Sequence, residues 1–174
     1  NAITTGTKNI HIGAISGDAN QTGENNIGIG YASLGANTTG GNVAIGTNAM
    51  LNSTTAANNV AMGDGAMGLG VTTGNGNVAV GYQAGEDLTS GTGNVLLGSN
   101  AGESLTTGLR NIAIGINALA TEDTHHYNIA IGYRALQNQN AGANAYNTVV
   151  GAEAGYAMTT GVDNTIVGGL AGGA

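Results

Sequence analysis

The sequence predicts an all-β chain, a parallel β-solenoid or β-roll of about ten coils with a period near 17 residues. Three observations carry this. The string Asn-(Ile/Val/Thr)-x-(aliphatic)-Gly recurs ten times, starting at Asn9, Asn26, Asn42, Asn59, Asn77, Asn94, Asn111, Asn128, Asn147 and Asn164. The copies are 16 to 19 residues apart, too short to fold alone, so each must bury its apolar side against its neighbours. The composition is that of a narrow stack: 33 Gly, no Pro, Cys, Trp or Phe, and 7 % charged residues. A Gly-rich chain without periodicity would read as disordered, but the strict register of Ile and Val excludes that.

Each copy opens with a strand. Aliphatic residues alternate with period two, as in Val43 and Ile45 or Ile112 and Ile114, and a Gly such as Gly46 or Gly115 ends the run. These paired aliphatics are expected to face the coil interior. Three places after the Gly comes a small residue, Ala in most copies, which suits a tight corner. The next position is always Gly or Leu/Met, as in Gly85, Gly102, Met50 and Leu119, and reads as a core slot or a backbone kink. Many copies close with Thr-Thr-Gly, beginning with Thr4-Thr5-Gly6, where Gly supplies positive φ for the turn into the next Asn. Stacked coils would set the repeat asparagines about 4.8 Å apart, so each amide can bond the next amide or the turn backbone. This column is expected to be a structural ladder.

No run approaches the roughly 18 apolar residues of a membrane span, and no membrane insertion is expected. Residues 1–174 read as a single repeat domain, a rod of about 48 Å. The Thr4-Thr5-Gly6 string at its start reads as the tail of a further copy, so the chain is expected to be a piece of a longer polypeptide.

The residue between the paired aliphatics is expected to face outward, yet it is Ala44, Ala61, Ala79, Leu96, Ala113, Ala130, Val149 and Ile166, with only His11 and Gly28 departing. An apolar outer face predicts a partner, and we expect a homo-oligomer with these residues lining a shared axis.

The string Asn-Val-Ala-Ile-Gly-x-x-Ala, residues 42–49, resembles the head repeat of trimeric autotransporter adhesins, a left-handed parallel β-roll. With the Thr-Thr-Gly tail and the period near 17, the array from Thr4 to Gly173 is still more similar to repeat arrays of bacteriophage tail fibres. The resemblance implies a homotrimer, a structural and adhesive role in host-cell attachment, and a place in the virion or at an extracellular surface. It also implies a host glycan or outer-membrane protein as partner.

No chemistry of an enzyme is expected. There is no Gly-x-Ser-x-Gly elbow and no Cys nucleophile, and strings such as Gly28-Ile29-Gly30 precede no helix to hold a phosphate, so no catalytic residue and no cofactor is expected. His11, on the expected axis, is a candidate to ring a metal ion in a trimer, although a packed His ring is the simpler reading. His125-His126 reads as a solvated loop. Glu86 and Glu103 share a place in adjacent coils, beside Asp87, and read as a solvated acidic edge rather than a Ca²⁺ site. Arg134 and Glu153 share a column and are expected to pair. Arg110, Tyr127 and Tyr146 each precede a repeat Asn and should stack; they are candidates for binding a sugar, with plain ladder stacking the simpler reading. Tyr31, Tyr82 and Tyr133 are three coils apart and out of mutual contact.

A net charge of −7, about −21 for three chains by simple tripling, disfavours nucleic acid as a partner. The acidity also discourages aggregation of identical rods. The function expected is therefore a segment of a trimeric phage tail fibre. The alternatives are a bacterial surface adhesin head and an ice-binding β-solenoid, the latter weakened by an irregular Thr-Thr pattern.

Overall fold

The computed structural model describes residues 5–142 and 144–173. Thr4 of the leading Thr-Thr-Gly lies outside them. Ten three-residue strands form one parallel sheet: β1 (Ile10–Ile12), β2 (Ile27–Ile29), β3 (Val43–Ile45), β4 (Val60–Met62), β5 (Val78–Val80), β6 (Val95–Leu97), β7 (Ile112–Ile114), β8 (Ile129–Ile131), β9 (Thr148–Val150) and β10 (Thr165–Val167). They pair in sequence order and without slippage, so Ala44 stands between Gly28 and Ala61, and Leu96 between Ala79 and Ala113. The chain is an all-β solenoid of about nine turns, with no helix among the described residues.

The strands are one side of each coil; the other sides are also laddered. Met50 N–H donates to Ala66 O at 3.0 Å along the core slots, and Thr38 N–H to Thr54 O at 3.0 Å along the Thr-rich tails. Backbone groups of one coil therefore find partners mainly in the next, as expected for a repeat that cannot fold alone.

Closing a coil in so few residues needs four left-handed corners. The strand-ending glycines have φ from 126° to 141°, and a Cβ on Gly46 would sit 2.4 Å from Gly63 O, so the position is closed to any side chain. The residue two places on, the core slot, and the residue before the repeat Asn also have positive φ: Asn48 at 56°, Met50 at 52°, Arg110 at 54°. Among the described residues, 21 non-glycine residues adopt it. Each such corner costs about 1–2 kcal/mol, a cost borne because every neighbouring coil has the same shape and hydrogen-bonds to it.

The structure reverses the expected inside and outside of the strands. Ala44, Ala61, Ala79, Leu96, Ala113, Ala130 and Val149 are fully buried in the coil's own core, with Ile166 packed against it in the last coil. The flanking aliphatics, such as Val43 and Ile45, point outward. The physical reason is room. Opposite the strand centre lies the core slot, and the two share one small space.

Where the strand centre is small (Gly28, Ala44, Ala61, Ala113, Ala130), the slot holds Leu34, Met50, Met67, Leu119 or Leu136. Where the centre is large (His11, Leu96, Val149, Ile166), the slot is Gly17, Gly102, Gly155 or Gly172. A Cβ on Gly102 would lie 2.7 Å from Leu96 Cδ2, and one on Gly17 would lie 2.3 Å from the His11 ring. One coil, with Ala79 and Gly85, is small at both places, and its neighbour fills the space: a Cβ on Gly85 would meet Leu96 Cδ1 at 2.7 Å. The slot is thus both a core position and a left-handed kink.

This compensation predicts a rescue. Leu96→Ala should cost about 2–5 kcal/mol by leaving a cavity, and Gly102→Leu should cost about 1–3 kcal/mol by overpacking. The double variant should recover the greater part of both losses in urea unfolding; strictly additive losses would contradict a shared space.

Candidate functional site

The asparagine column is the most regular feature of the structure. Except at Asn128, whose Oδ1 takes the Asn147 Nδ2 at 3.3 Å instead, each Oδ1 from Asn9 to Asn147 accepts the backbone N–H of the next asparagine, as in Asn59 N to Asn42 Oδ1 at 3.1 Å and Asn111 N to Asn94 Oδ1 at 2.9 Å. Each Nδ2 donates across its own coil to the carbonyl three residues before the next Asn, as in Asn77 to Gly91 O and Asn94 to Gly108 O, at 2.9 and 2.8 Å. The series runs from Asn9, which donates to Gly23 O, through Asn26 and Asn147 to Asn164, whose Nδ2 meets Asn147 Oδ1 and Val162 O. One side chain thus closes its coil and clamps it to the next.

Asn128 departs from the pattern. Its backbone N–H bonds Asn111 Oδ1 at 2.9 Å, but its Nδ2 lies 3.5 Å from Glu122 Oε2. Glu122 is fully buried in the inner column of the tails, which elsewhere holds Leu88, Leu105, Ser53, Asn37 and Gln139. Its Oε1 accepts the His125 backbone N–H at 3.2 Å and is in direct contact with His125 Nδ1. Sequence reasoning missed this pair. His125 is not a solvated loop residue but is 7 % exposed, while His126 Nδ1 accepts the Leu109 N–H at 2.9 Å. Asp123 completes a group of three potential metal ligands whose atoms lie within 4.8 Å of one another. Within this group Glu122 Oε1 and His125 Nδ1 are hydrogen-bonded to each other. The cluster is a buried hydrogen-bonded clamp on the coil that carries it.

His11 does not face an axis. Its ring lies inside the first coil, where Nε2 is 3.1 Å from Asn20 Nδ2 and Nδ1 is 3.4 Å from Ser16 Oγ, and burial holds its pKa below the ordinary value. The ring points toward Gly17 and Asn20 of its own coil, not toward an axis shared by three copies.

The aromatic column is assembled. Tyr127 and Tyr146 stack at 4.9 Å with planes 4° apart, and Arg110 lies 5.9 Å from the Tyr127 centroid while its Nη1 donates to Tyr127 Oη at 3.1 Å. The two rings spend their facing surfaces on each other and Arg110 covers the next, which leaves mainly edges and the far face of Tyr146 for a ligand. The column serves as a clamp along the stack. Arg134 lies over Tyr133 at 5.0 Å and Tyr156 at 5.9 Å instead of pairing with Glu153. Glu86 is 8 % exposed and receives a 2.7 Å hydrogen bond from Gln83 Nε2. Burial raises its pKa, the Gln83 bond lowers it, and Asp87, Glu103 and Asp64 raise it further, so it is not part of a freely solvated edge.

Fold and surfaces together define a class: a parallel β-solenoid repeat protein whose regular residues hold the stack. Beyond that class, no family model, no curated protein and no solved structure matches the chain.

Burial holds the Glu122 carboxyl above its ordinary value of 4.5, against the lowering effect of its hydrogen bonds and charge interaction with His125. The folded chain then keeps a proton that the unfolded chain has lost, so the contribution to stability falls as pH rises from the ordinary value through the raised one. Glu122→Gln keeps an acceptor for His125 and cannot ionise. Its melting temperature should therefore fall less than that of the parent between about pH 4.5 and pH 7, as read by scanning calorimetry. Identical pH slopes would show that Glu122 does not titrate as a buried acid.

Proposed function

We propose that this chain is a structural and adhesive segment of a homotrimeric fibre, of the phage tail-fibre kind, that takes part in attachment to a host-cell surface. The observation that carries the reading is the outward strand face. Its twenty positions, two on each of ten strands, comprise eighteen aliphatic or Met residues and two Thr (Thr148 and Thr165), with no charge. The strip is about 48 Å long and about 10 Å wide, within the size range at which exposed apolar patches mark contact surfaces. Ile10, Ile12, Met62 and Val167 are already exposed on it. The rest of the chain is acidic, so the neutral strip is where copies can approach without repulsion.

A trimer built this way uses Ile27, Val80, Ile114 and their neighbours, not the strand centres. The other sides of the solenoid stay free for a host glycan or outer-membrane protein. A bacterial surface adhesin head is the same architecture on a cell instead of a virion. The ice-binding reading has less support, because tail threonines spend hydroxyls on the stack: Thr38 Oγ1 donates to Thr54 O at 3.1 Å, and Thr89 and Thr106 do likewise to Thr106 O and Asp123 O.

Light scattering should give a native mass near three times the 16.9 kDa chain. Val80→Lys combined with Ile114→Lys places charges on the strip without touching the core, and should shift the mass to that of one chain with the β circular-dichroism spectrum retained. A parent chain that stays monomeric at about 100 µM, a weak threshold for a stable assembly, would overturn the fibre reading.

A further inference from the structure

The solenoid carries one notch that its repeat pattern does not require. Two surface columns of side chains, one represented by Asn48 and Gln83 and the other by Leu51 and Glu86, are interrupted in the coil between them by Gly65 and Gly68. The same coil spans 18 residues and lifts Leu69, 59 % exposed, above the notch. The result is a groove of about 190 Å³ with a glycine floor, walls of Asn48 and Leu51 on one side and Gln83 and Glu86 on the other, and Tyr82, Asp64 and Leu69 around it.

Its polar groups are held in place. Gln83 Nε2 donates to Glu86 Oε1 at 2.7 Å, while Asn100 Nδ2 approaches Gln83 Oε1 at 3.5 Å, so the carboxamide is pinned from both ends and fixes the Glu86 carboxyl. A fixed carboxyl, two carboxamides and an exposed aromatic ring are the groups that recognise a sugar: acceptors and donors for hydroxyls beside a rigid apolar face. Asp64 and Glu86, with Asp87 and Glu103 nearby, exclude an anionic sugar. The space suits one ring.

We infer that this groove binds a single neutral hexopyranose, the exposed end of a glycan, with Tyr82 against the ring face and Glu86, Gln83 and Asn48 on its hydroxyls. The inference stands on the groove within one chain and does not depend on the trimer.

The test is an NMR titration of the whole chain with methyl α-D-glucopyranoside, methyl α-D-mannopyranoside and methyl β-D-galactopyranoside, with Ca²⁺ alone as a fourth titrant. At least one glycoside should shift the amides of Gly65, Gly68 and Glu86, saturating in the millimolar range. Gly65→Asn fills the notch and is compatible with the backbone, because Asn48, Asn100 and Asn117 hold the same column with φ of 56° to 57°; it should abolish the shifts. Tyr82→Ala, at a position where other coils carry Ala14 and Ala152, should weaken binding about tenfold, the loss of one aromatic contact. The melting temperatures of both variants should match the parent. No saturating shift with any glycoside up to about 0.1 M, a limit weaker than any specific site, would overturn the proposal. So would undiminished binding by Gly65→Asn, or shifts produced by Ca²⁺ and by no sugar.

Discussion

Everything in this structure depends on one constraint: a coil of about 17 residues cannot satisfy its own backbone, so it persists only between two coils of the same shape. The repeat asparagine is the residue that answers the constraint in both directions. Its Nδ2 ties the end of a coil to its beginning, and its Oδ1 accepts the first N–H of the next. The Asn carboxamide is uncharged and carries a donor and an acceptor on one short, planar group, which is what the two bonds require. From the asparagine to the core slot the spacing is eight residues in every coil, Asn42 to Met50 and Asn147 to Gly155 alike. All variation in repeat length falls in the tail that follows. The Glu122–His125 clamp lies there, and so does Gly68 of the notch, whereas Gly65 stands two places before the slot Met67.

The core obeys a second rule, of volume. With one strand centre and one slot sharing each cross-section, side-chain size is conserved per coil rather than per position in nine of the ten coils, Leu96 filling the tenth from next door. A conventional core fixes each residue by its own surroundings; here Ala with Leu or Met, and Leu, Val or Ile with Gly, are interchangeable solutions. The small interior explains why the chain needs no Phe or Trp. It also explains why the strands keep large aliphatics on the outside, since the inside has no room for two of them.

The stack, its period and its strands were legible in the sequence because the Asn and Gly of each copy recur without exception. The inside and outside of the strands were not. Apolar residues occupy both faces, and period-two alternation by itself does not say which face is inner. The signal lay elsewhere, in the reciprocal sizes of Ala113 and Leu119 against Leu96 and Gly102. The stacking of Tyr127 on Tyr146, with Arg110 beside it, was readable from their shared column. His11 misled for the same reason as the strand centres. Glu122 was hidden because its column admits Leu, Asn, Ser and Gln alike, so no pattern marks an acid there as buried. The groove was hidden because it is made of absent side chains, visible only once the columns are set side by side.

The central claim is that the asparagine column joins coil to coil, and native-state hydrogen exchange reads it directly. The backbone amides of Asn59, Asn77, Asn94 and Asn111, each bonded to the preceding Oδ1, should exchange as slowly as the strand amides of Ala61 and Ala113. Asn147, which offers Asn128 Oδ1 its side-chain Nδ2 at 3.3 Å, supplies the internal comparison and should exchange faster. Asparagine amides that exchange at the rate of open turns, with the strand amides still protected, would contradict the account.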